Sequence, residues 1–277
     1  QEEALASVSK YKGIITSTRL HIDKELLDRA QQLKFIGRMG SGMEIIDMPY
    51  AAQKGIICVS SPEGNANAVA EHALGMLLGL SKQIIKSNQE LHQGKWEREA
   101  NRGFELEGKT IAIIGFGHTG SAFAHKLSVF DMRILAYDIN PNISYPNYVK
   151  AQETMQRIYE EADIISFHVP ARQENKHLFN EQFLENFHKP IVLVNTSRGN
   201  VVDPLAVVNG LKKGKISKAC FDVWETEPIS KMNEQQKSVF NDLMADENVL
   251  FTPHIAGYSH EALFKMSLVI AKKLKLA

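Results

Sequence analysis

Residues 110–120 read TIAIIGFGHTG: an apolar run suited to a buried strand, then three glycines in the spacing GxGxxG, then the start of a helical pattern. Gly115, Gly117 and Gly120 suit a chain that turns sharply from strand into helix. Glycines permit the tight turn and let a pyrophosphate approach the backbone, while the helix beyond them offers free N–H groups and the positive end of its dipole. The next strand candidate, RILAYD (133–138), ends on Asp138. A carboxylate there can accept hydrogen bonds from both ribose hydroxyls of an adenosine and repels a 2′-phosphate. No arginine follows it in DINPN, so the pattern predicts NAD rather than NADP. His118 and Thr119 lie inside the motif and are counted with the cofactor site; His118 is expected as an exposed first-turn side chain that can approach a phosphate.

Downstream, short apolar runs alternate with helical segments: DIISFHV (163–169), IVLVNTS (191–197), KACFDV (218–223) and NVLFTP (248–253) are further strand candidates. The helical segments include GSAFAHKLSVF, ETMQRIYEEA, NEQFLENF and DPLAVVNGLKKG. Strands this apolar belong to a parallel sheet covered on both faces, so this half predicts a doubly wound α/β (Rossmann) domain. Upstream, GIITST (13–18), KFIGRM (34–39) and IICVSS (56–61) form a second strand series with helices between them. Apolar residues then recur at helical spacing from Val69 to about Leu91, which predicts one long helix. The stretch before NVLFTP reads as a longer, polar gap, and HEALFKMSLVIAKKLKLA as an amphipathic tail helix. QEEALASVSK reads as a helix already under way, so the first domain is expected to lack its first strand.

With 277 residues, 44% of them apolar and 23% charged, the chain is long enough for two globular domains. Lys plus Arg and Asp plus Glu are both 32, so net charge draws it towards neither nucleic acid nor an anionic membrane. No apolar run is long enough to span a bilayer and no secretory signal pattern opens the chain. Cys58 and Cys220 read as free thiols in a reducing compartment, the cytoplasm; neither a disulfide nor a metal site is expected.

VLVNTSRGN (192–200) poses the functional question, because a permanently charged Arg198 follows a stretch that reads as buried strand. By position alone Arg198 is a solvated strand-end charge. A parallel sheet, however, brings the carboxyl ends of its strands to one edge, where ligands bind. The third strand of the series ends with His168, Val169 and Pro170, the fourth with Thr196 and Arg198, the fifth with Asp222 and then Glu227, and the sixth with His254. These residues would converge on one crevice.

The stretches GRMGSGMEIID, NANAVAEHALGMLL, GKWEREANRGFELEGKTIAIIGFGHTG, NTSRGNVVDPLAVVNGLKKGKI, FDVWETEP and TPHIAGYSHEA resemble the D-isomer-specific 2-hydroxyacid dehydrogenase family, from about residue 10 to the tail. The resemblance implies an NAD-binding Rossmann domain over residues 66–258. It also implies a smaller flavodoxin-like substrate domain from residues 1–65 and 259–277, lying over the cleft, and a homodimer. It places the catalytic Arg, Glu and His on Arg198, Glu227 and His254, and puts His168 near the adenosine side. It makes the backbone of Ser41 and Gly42 part of a carboxylate site.

Residue chemistry fits those roles. Arg198 can hold the carboxylate of a 2-hydroxy or 2-keto acid through two parallel N–H···O bonds. His254 is the acid–base candidate, with His168 its rival. Glu227 would pair with the far ring nitrogen of His254 and raise its pKa; by itself it reads as a surface carboxylate. Asp222 is placed for the nicotinamide carboxamide. Two departures from the family pattern leave the substrate open. Glu44 stands where aspartate is common, and Ser17 stands where a phosphoglycerate dehydrogenase often has arginine. Arg19 nearby is either a substrate-phosphate contact or an ordinary loop charge. The expected function is NAD-dependent interconversion of a D-2-hydroxy acid and its 2-keto acid, 3-phosphoglycerate being one candidate. The alternatives are a glycerate, hydroxypyruvate or glyoxylate reductase, or an NAD-sensing corepressor-like binding protein. No C-terminal effector module is expected.

Overall fold

Three short apolar runs near the N-terminus form the first sheet: β1 (Gly13–Thr16), β2 (Phe35–Arg38) and β3 (Ile57–Ser60), parallel and in that spatial order. The structure is a computed structural model and describes residues 1–152 and 154–276. Short helices α1 (Glu2–Ser7), α2 (Lys24–Arg29) and α3 (Met48–Gln53) connect and flank the strands. α2 and α3 start where the sequence supplies aspartates: Asp23 and Asp47 each accept a backbone N–H, from Leu26 and Tyr50, at 3.0 Å. Ile22, Leu26, Leu27, Ile36 and Ala51 form a fully buried core beneath the sheet. The C-terminal helix His260–Lys273 returns to this unit, where its Ile270 lies so close to Gly37 that a Cβ there would sit 2.6 Å from the isoleucine methyl. The unit comprises Gln1–Ala68 and Gly257–Ala277; Val69–Ala256 form the second.

α4 (Pro62–Ser81) leads into the second unit and is followed by α5 (Ile84–His92). The single helix expected from Val69 to about Leu91 is therefore two. Gln83 between them is left-handed, at φ 55°, and the carbonyl of Ser81 accepts the N–H of Phe104 at 2.9 Å. Gly103 makes that approach possible: a Cβ there would lie 2.2 Å from the Ser81 oxygen. The returning chain thus claims a carbonyl that a continuous helix would need.

Beyond α5 come β4 (Thr110–Ile114), α6 (His118–Leu127), β5 (Arg133–Tyr137), β6 (Val149–Ala151), α7 (Gln156–Glu161), β7 (Ile164–Phe167), α8 (Glu181–Glu185), β8 (Ile191–Asn195), α9 (Pro204–Lys212), β9 (Ile216–Phe221), α10 (Glu234–Met244) and β10 (Val249–Phe251). Glu153, where the segment expected to become α7 begins, lies outside the described residues. The strands form one parallel sheet in the order β10-β9-β8-β7-β4-β5-β6. Side chains along β4 alternate between two cores. Ile111 and Ile113 face Leu77, Phe123 and Leu127, whereas Ala112 and Ile114 join the cluster of Phe167, Phe179 and Val207. Burying each such isoleucine stabilises by about 1.5–3 kcal/mol, so the unbroken apolar run is what both faces require.

Two elements were not expected. β6 is a three-residue edge strand too short to announce itself. α10 lies in the stretch read as a polar gap, although Asn233 and Gln236 form a reciprocal capping box at its start. In this sheet β4 is flanked by β5 and β7, and successive strands diverge to either side of it. The crevice at the carboxyl edge therefore opens beside Gly115.

Candidate active site

The glycine turn is shaped by what its residues cannot carry. Gly115 has φ 90°, and a Cβ on it would lie 2.5 Å from the His168 carbonyl oxygen; one on Gly120 would lie 2.1 Å from the Gly115 oxygen. Gly117 is different, because nothing lies within 4 Å of a Cβ placed there. The first and third glycines thus let strand and helix pack, and the second leaves an open backbone surface. Gly117 caps the ten-residue α6 without any side-chain cap, and His118 and Thr119 follow in its first turn, His118 exposed. Asp138 is half-buried at the rim of this turn. One carboxylate oxygen accepts the Phe116 N–H at 2.6 Å and the other the Asn140 N–H at 2.8 Å. A carboxylate oxygen carries two lone pairs, so each retains acceptor capacity for a ribose hydroxyl.

Across the switch point, β7 is followed by His168, Val169 and Pro170, and β8 by Thr196. His168 is buried and its Nε2 meets the Ser166 hydroxyl at 2.9 Å, yet its Nδ1 has no hydrogen-bond partner; the buried Thr196 hydroxyl has none either. Unsatisfied buried polar atoms are costly, and two of them on adjoining strand ends beside an open glycine turn fit a polar ligand such as a dinucleotide. Burial takes the His168 pKa down to about 4. It is therefore neutral near pH 7 and ill-suited to rival His254 as a proton donor.

Arg198 is held by the turn before it. Asn195 Oδ1 accepts both the N–H and the hydroxyl of Ser197, at 3.1 and 2.7 Å, and its amide donates to the Arg198 carbonyl at 2.9 Å. The half-buried guanidinium donates to the Ser197 carbonyl at 2.7 Å. Next to it, Gly199 abuts the neighbouring loop so closely that a Cβ would lie 1.9 Å from the Trp224 carbonyl. The Trp224 indole is wedged against Phe221 and Phe251, with centroids 5.9 and 5.4 Å away, and its backbone N–H donates to Glu227 Oε1 at 2.7 Å. The other Glu227 oxygen accepts His254 Nδ1–H at 2.6 Å. That contact fixes the tautomer and leaves Nε2 for a substrate oxygen.

His254 occupies the left-handed region, at φ 56°, which a non-glycine residue adopts only when its surroundings impose it. Asp222 imposes it. Its backbone carbonyl accepts the His254 N–H at 2.7 Å. Its buried carboxylate accepts the Thr252 hydroxyl at 2.5 Å and the N–H groups of Ile255 and Ala256 at 2.9 and 2.8 Å. His72, from α4, lies 2.9 Å from the Thr252 oxygen. The single Thr252 proton goes to the carboxylate, so His72 Nε2–H is the donor in that contact. Asp222 is therefore first the anchor of the His254 loop, with Oδ2 retaining acceptor capacity for the carboxamide expected from the sequence.

The hydrogen bond that His254 donates to Glu227 is the largest influence on its pKa and raises it; burial and the Arg198 charge oppose it, and the Glu227 and Asp222 charges add to it. For Glu227, burial pushes the pKa up. The hydrogen bonds from His254 and the Trp224 N–H, with the His254 and Arg198 charges, outweigh that and lower it. Arg198 acts electrostatically on both partners, so the sheet edge brings Arg198, Glu227 and His254 together in one neighbourhood. Ser41, Gly42 and Arg19 belong to the other unit. There the first two lie in the loop after β2 and Arg19 in the loop after β1, at the same carboxyl edge of that sheet; Ser41 and Arg19 are exposed and Gly42 is buried. His72, Asn195 and Thr252 were not singled out from the sequence.

The family model described as D-isomer specific 2-hydroxyacid dehydrogenase, NAD binding domain, matches residues 74–256. A D-3-phosphoglycerate dehydrogenase of Archaeoglobus fulgidus is 34% identical over 276 residues, covering 99% of this chain but 51% of that protein. A glyoxylate reductase of Thermofilum pendens is 35% identical over 280 residues, covering 99% of this chain and 80% of the relative. The chain thus spans about half the length of the D-3-phosphoglycerate dehydrogenase it matches. Among solved structures, D-lactate dehydrogenase from Aquifex aeolicus, complexed with NAD and lactic acid, superposes with a TM-score of 0.84 at 28% identity, over 98% of this chain and 84% of that one.

Proposed function

The chain belongs to the D-isomer-specific 2-hydroxyacid dehydrogenase family, and from that premise we propose that it interconverts a D-2-hydroxy acid and its 2-keto acid with NAD. The observation that carries the proposal is the 2.6 Å His254–Glu227 hydrogen bond with the Arg198 charge acting on both partners. NAD, when bound, accepts or supplies the hydride at the carbon bearing the reacting oxygen. Arg198 pairs with the substrate carboxylate and polarises the adjacent oxygen. His254 Nε2 takes the hydroxyl proton in oxidation and returns it in reduction. Glu227 holds the opposite nitrogen and favours imidazolium. Gly115, Gly117, Thr119 and Gly120 shape the pyrophosphate turn, and Asp138 meets the adenosine ribose. His168, Val169, Pro170 and Thr196 line the strand ends, where the two unsatisfied polar atoms await partners.

The test is NADH oxidation with glyoxylate, hydroxypyruvate, pyruvate, 2-ketoglutarate and phosphohydroxypyruvate. Turnover of at least one is expected, and saturable NADH binding without turnover of any would convert the reading to that of a sensor. Preference for phosphohydroxypyruvate that Arg19→Ala abolishes would make Arg19 the phosphate contact. The proposed assembly is a homodimer. Supporting it, α5 buries none of its own residues, and Ile84, Ile85 and Leu91 are exposed, as is Trp96 just beyond. The proposed location is the cytoplasm, where Cys58 and the buried Cys220, its thiol pKa pushed up to about 12 by burial, would stay reduced.

A further inference from the structure

Two residues before the carboxylate that holds His254, the same loop carries Glu225, and this residue holds a different histidine. His177 Nε2–H donates to Glu225 Oε1 at 2.9 Å, with both side chains about two-thirds buried. His177 also reaches the loop that carries Arg198, since its backbone N–H donates to the Asn200 carbonyl at 2.8 Å. The contact continues as a short ladder: the Phe179 N–H donates to Val201, and the Asp203 N–H to Phe179, at 3.0 and 2.8 Å. On the far side, the Arg198 loop meets the Trp224 carbonyl at Gly199.

We infer that His177 is a positioning residue, fastening the loop of Arg198 to the loop of Glu227 and so setting the guanidinium against the His254–Glu227 pair. It acts through Asn200 and Glu225 rather than on a reacting atom. The backbone supports the assignment. His177 sits at φ 49°, where glycine is relaxed and histidine is strained, so a side chain at this position has to be offset by what it holds. Glu225 and Glu227 alternate along one loop, and movement of the first is transmitted through one intervening residue to the second.

The inference rests on the proposed dehydrogenase reading, and its test is chosen to separate the two. His177→Gly relaxes the backbone and keeps its N–H, so it deletes the imidazole alone; Glu225→Gln keeps an acceptor and removes the charge. His254 protonation is followed by NMR of its ring Cε1–H in the full-length protein, beside keto-acid kinetics, NADH affinity and melting temperature. The groups bearing on His254 are Glu227, Asp222 and Arg198. Both variants should displace the His254 midpoint from that of the parent, upward where the Arg198 loop recedes and downward where Glu227 is drawn off, and lower kcat roughly 10- to 100-fold. NADH affinity should stay within about twofold of the parent, because the glycine turn is on other strands. His177→Gly should melt no lower than the parent. An unchanged His254 midpoint in both variants overturns the inference, whether or not melting changes. Were the parent protein to reduce no keto acid, the dehydrogenase reading would fall while the NMR midpoint still decided the role of His177.

Discussion

Glu227→Gln is the substitution on which the proposed mechanism makes its sharpest statement. The contact from His254 Nδ1 to Glu227 Oε2 is 2.6 Å. A hydrogen bond to a charged group contributes about 1.5–3 kcal/mol and a neutral one about 0.5–1.5, so removing only the charge costs about 1–1.5 kcal/mol. The side chains are 47% and 35% exposed, and solvent screening brings this to roughly 1 kcal/mol, about fivefold in rate. The sign follows from His254, whose pKa Glu227 raises. Reduction needs imidazolium: it runs fully below that pKa and fails as pH rises through it. Oxidation needs neutral imidazole and fails as pH falls. In the glutamine variant the transition lies at lower pH. Below it imidazolium is fully populated in both proteins and reduction loses little. Above it reduction loses the protonated fraction, and oxidation loses the charge that stabilises the forming imidazolium. Detailed balance makes the two losses equal at each pH when NAD binding is unchanged. The assay is kcat/KM for a keto acid and its hydroxy acid, each across pH 5–10. A loss of equal size at every pH, with the transition unmoved, would refute the argument.

The remaining predictions use other parts of the site. Gly120→Ala would press a methyl to 2.1 Å from the Gly115 oxygen, so NADH affinity measured by fluorescence titration should fall at least about tenfold. Asp138→Ala should narrow the preference for NADH over NADPH, which competitive titration of the two dinucleotides would register; an unchanged ratio would remove Asp138 from cofactor selection. Asp222→Asn turns an acceptor of three donors into a group that must present N–H to one of them. It should destabilise by about 3 kcal/mol in denaturant titration and lower kcat in both directions.

Much of this architecture is readable from the chain because a doubly covered parallel sheet demands unbroken apolar runs, and TIAII or IVLV leave little else to form. The glycines were legible for a similar reason: Gly115 and Gly120 have no room for a side chain, and Gly117 faces open space. What was not legible depends on residues far apart in sequence. The break at Gln83 is made by Gly103 and Phe104 and leaves the apolar periodicity of α4 and α5 undisturbed. α10 buries only Leu243 fully, so its apolar signal is weak even though its cap is written in NEQQ. Arg198, Glu227 and His254 are singled out as candidates by resemblance and by strand-end position. Nothing local distinguished His254 from the other histidines, and the partners His72 and Thr252, 180 residues apart, meet only once the sheet has formed.

The Asp222 carboxylate joins two requirements that the proposed reaction would make of His254. A proton-transfer group must stay put while its charge changes, and a left-handed histidine on an exposed loop does not do so by itself. Asp222 accepts from residues on both sides of His254, Thr252 before it and Ile255 and Ala256 after it, and its own carbonyl takes the His254 N–H. The strained φ is thereby held by four hydrogen bonds to Asp222. The same carboxylate charge contributes to raising the His254 pKa. Geometry and proton affinity are thus set from one side by Asp222 and from the other by Glu227, while Arg198 opposes both. A guanidinium near an imidazolium is unfavourable, and the substrate carboxylate proposed to pair with Arg198 would relieve that repulsion. In the proposed mechanism, binding the acid would offset the Arg198 charge that disfavours protonated His254, and so would couple substrate recognition to readiness for proton transfer.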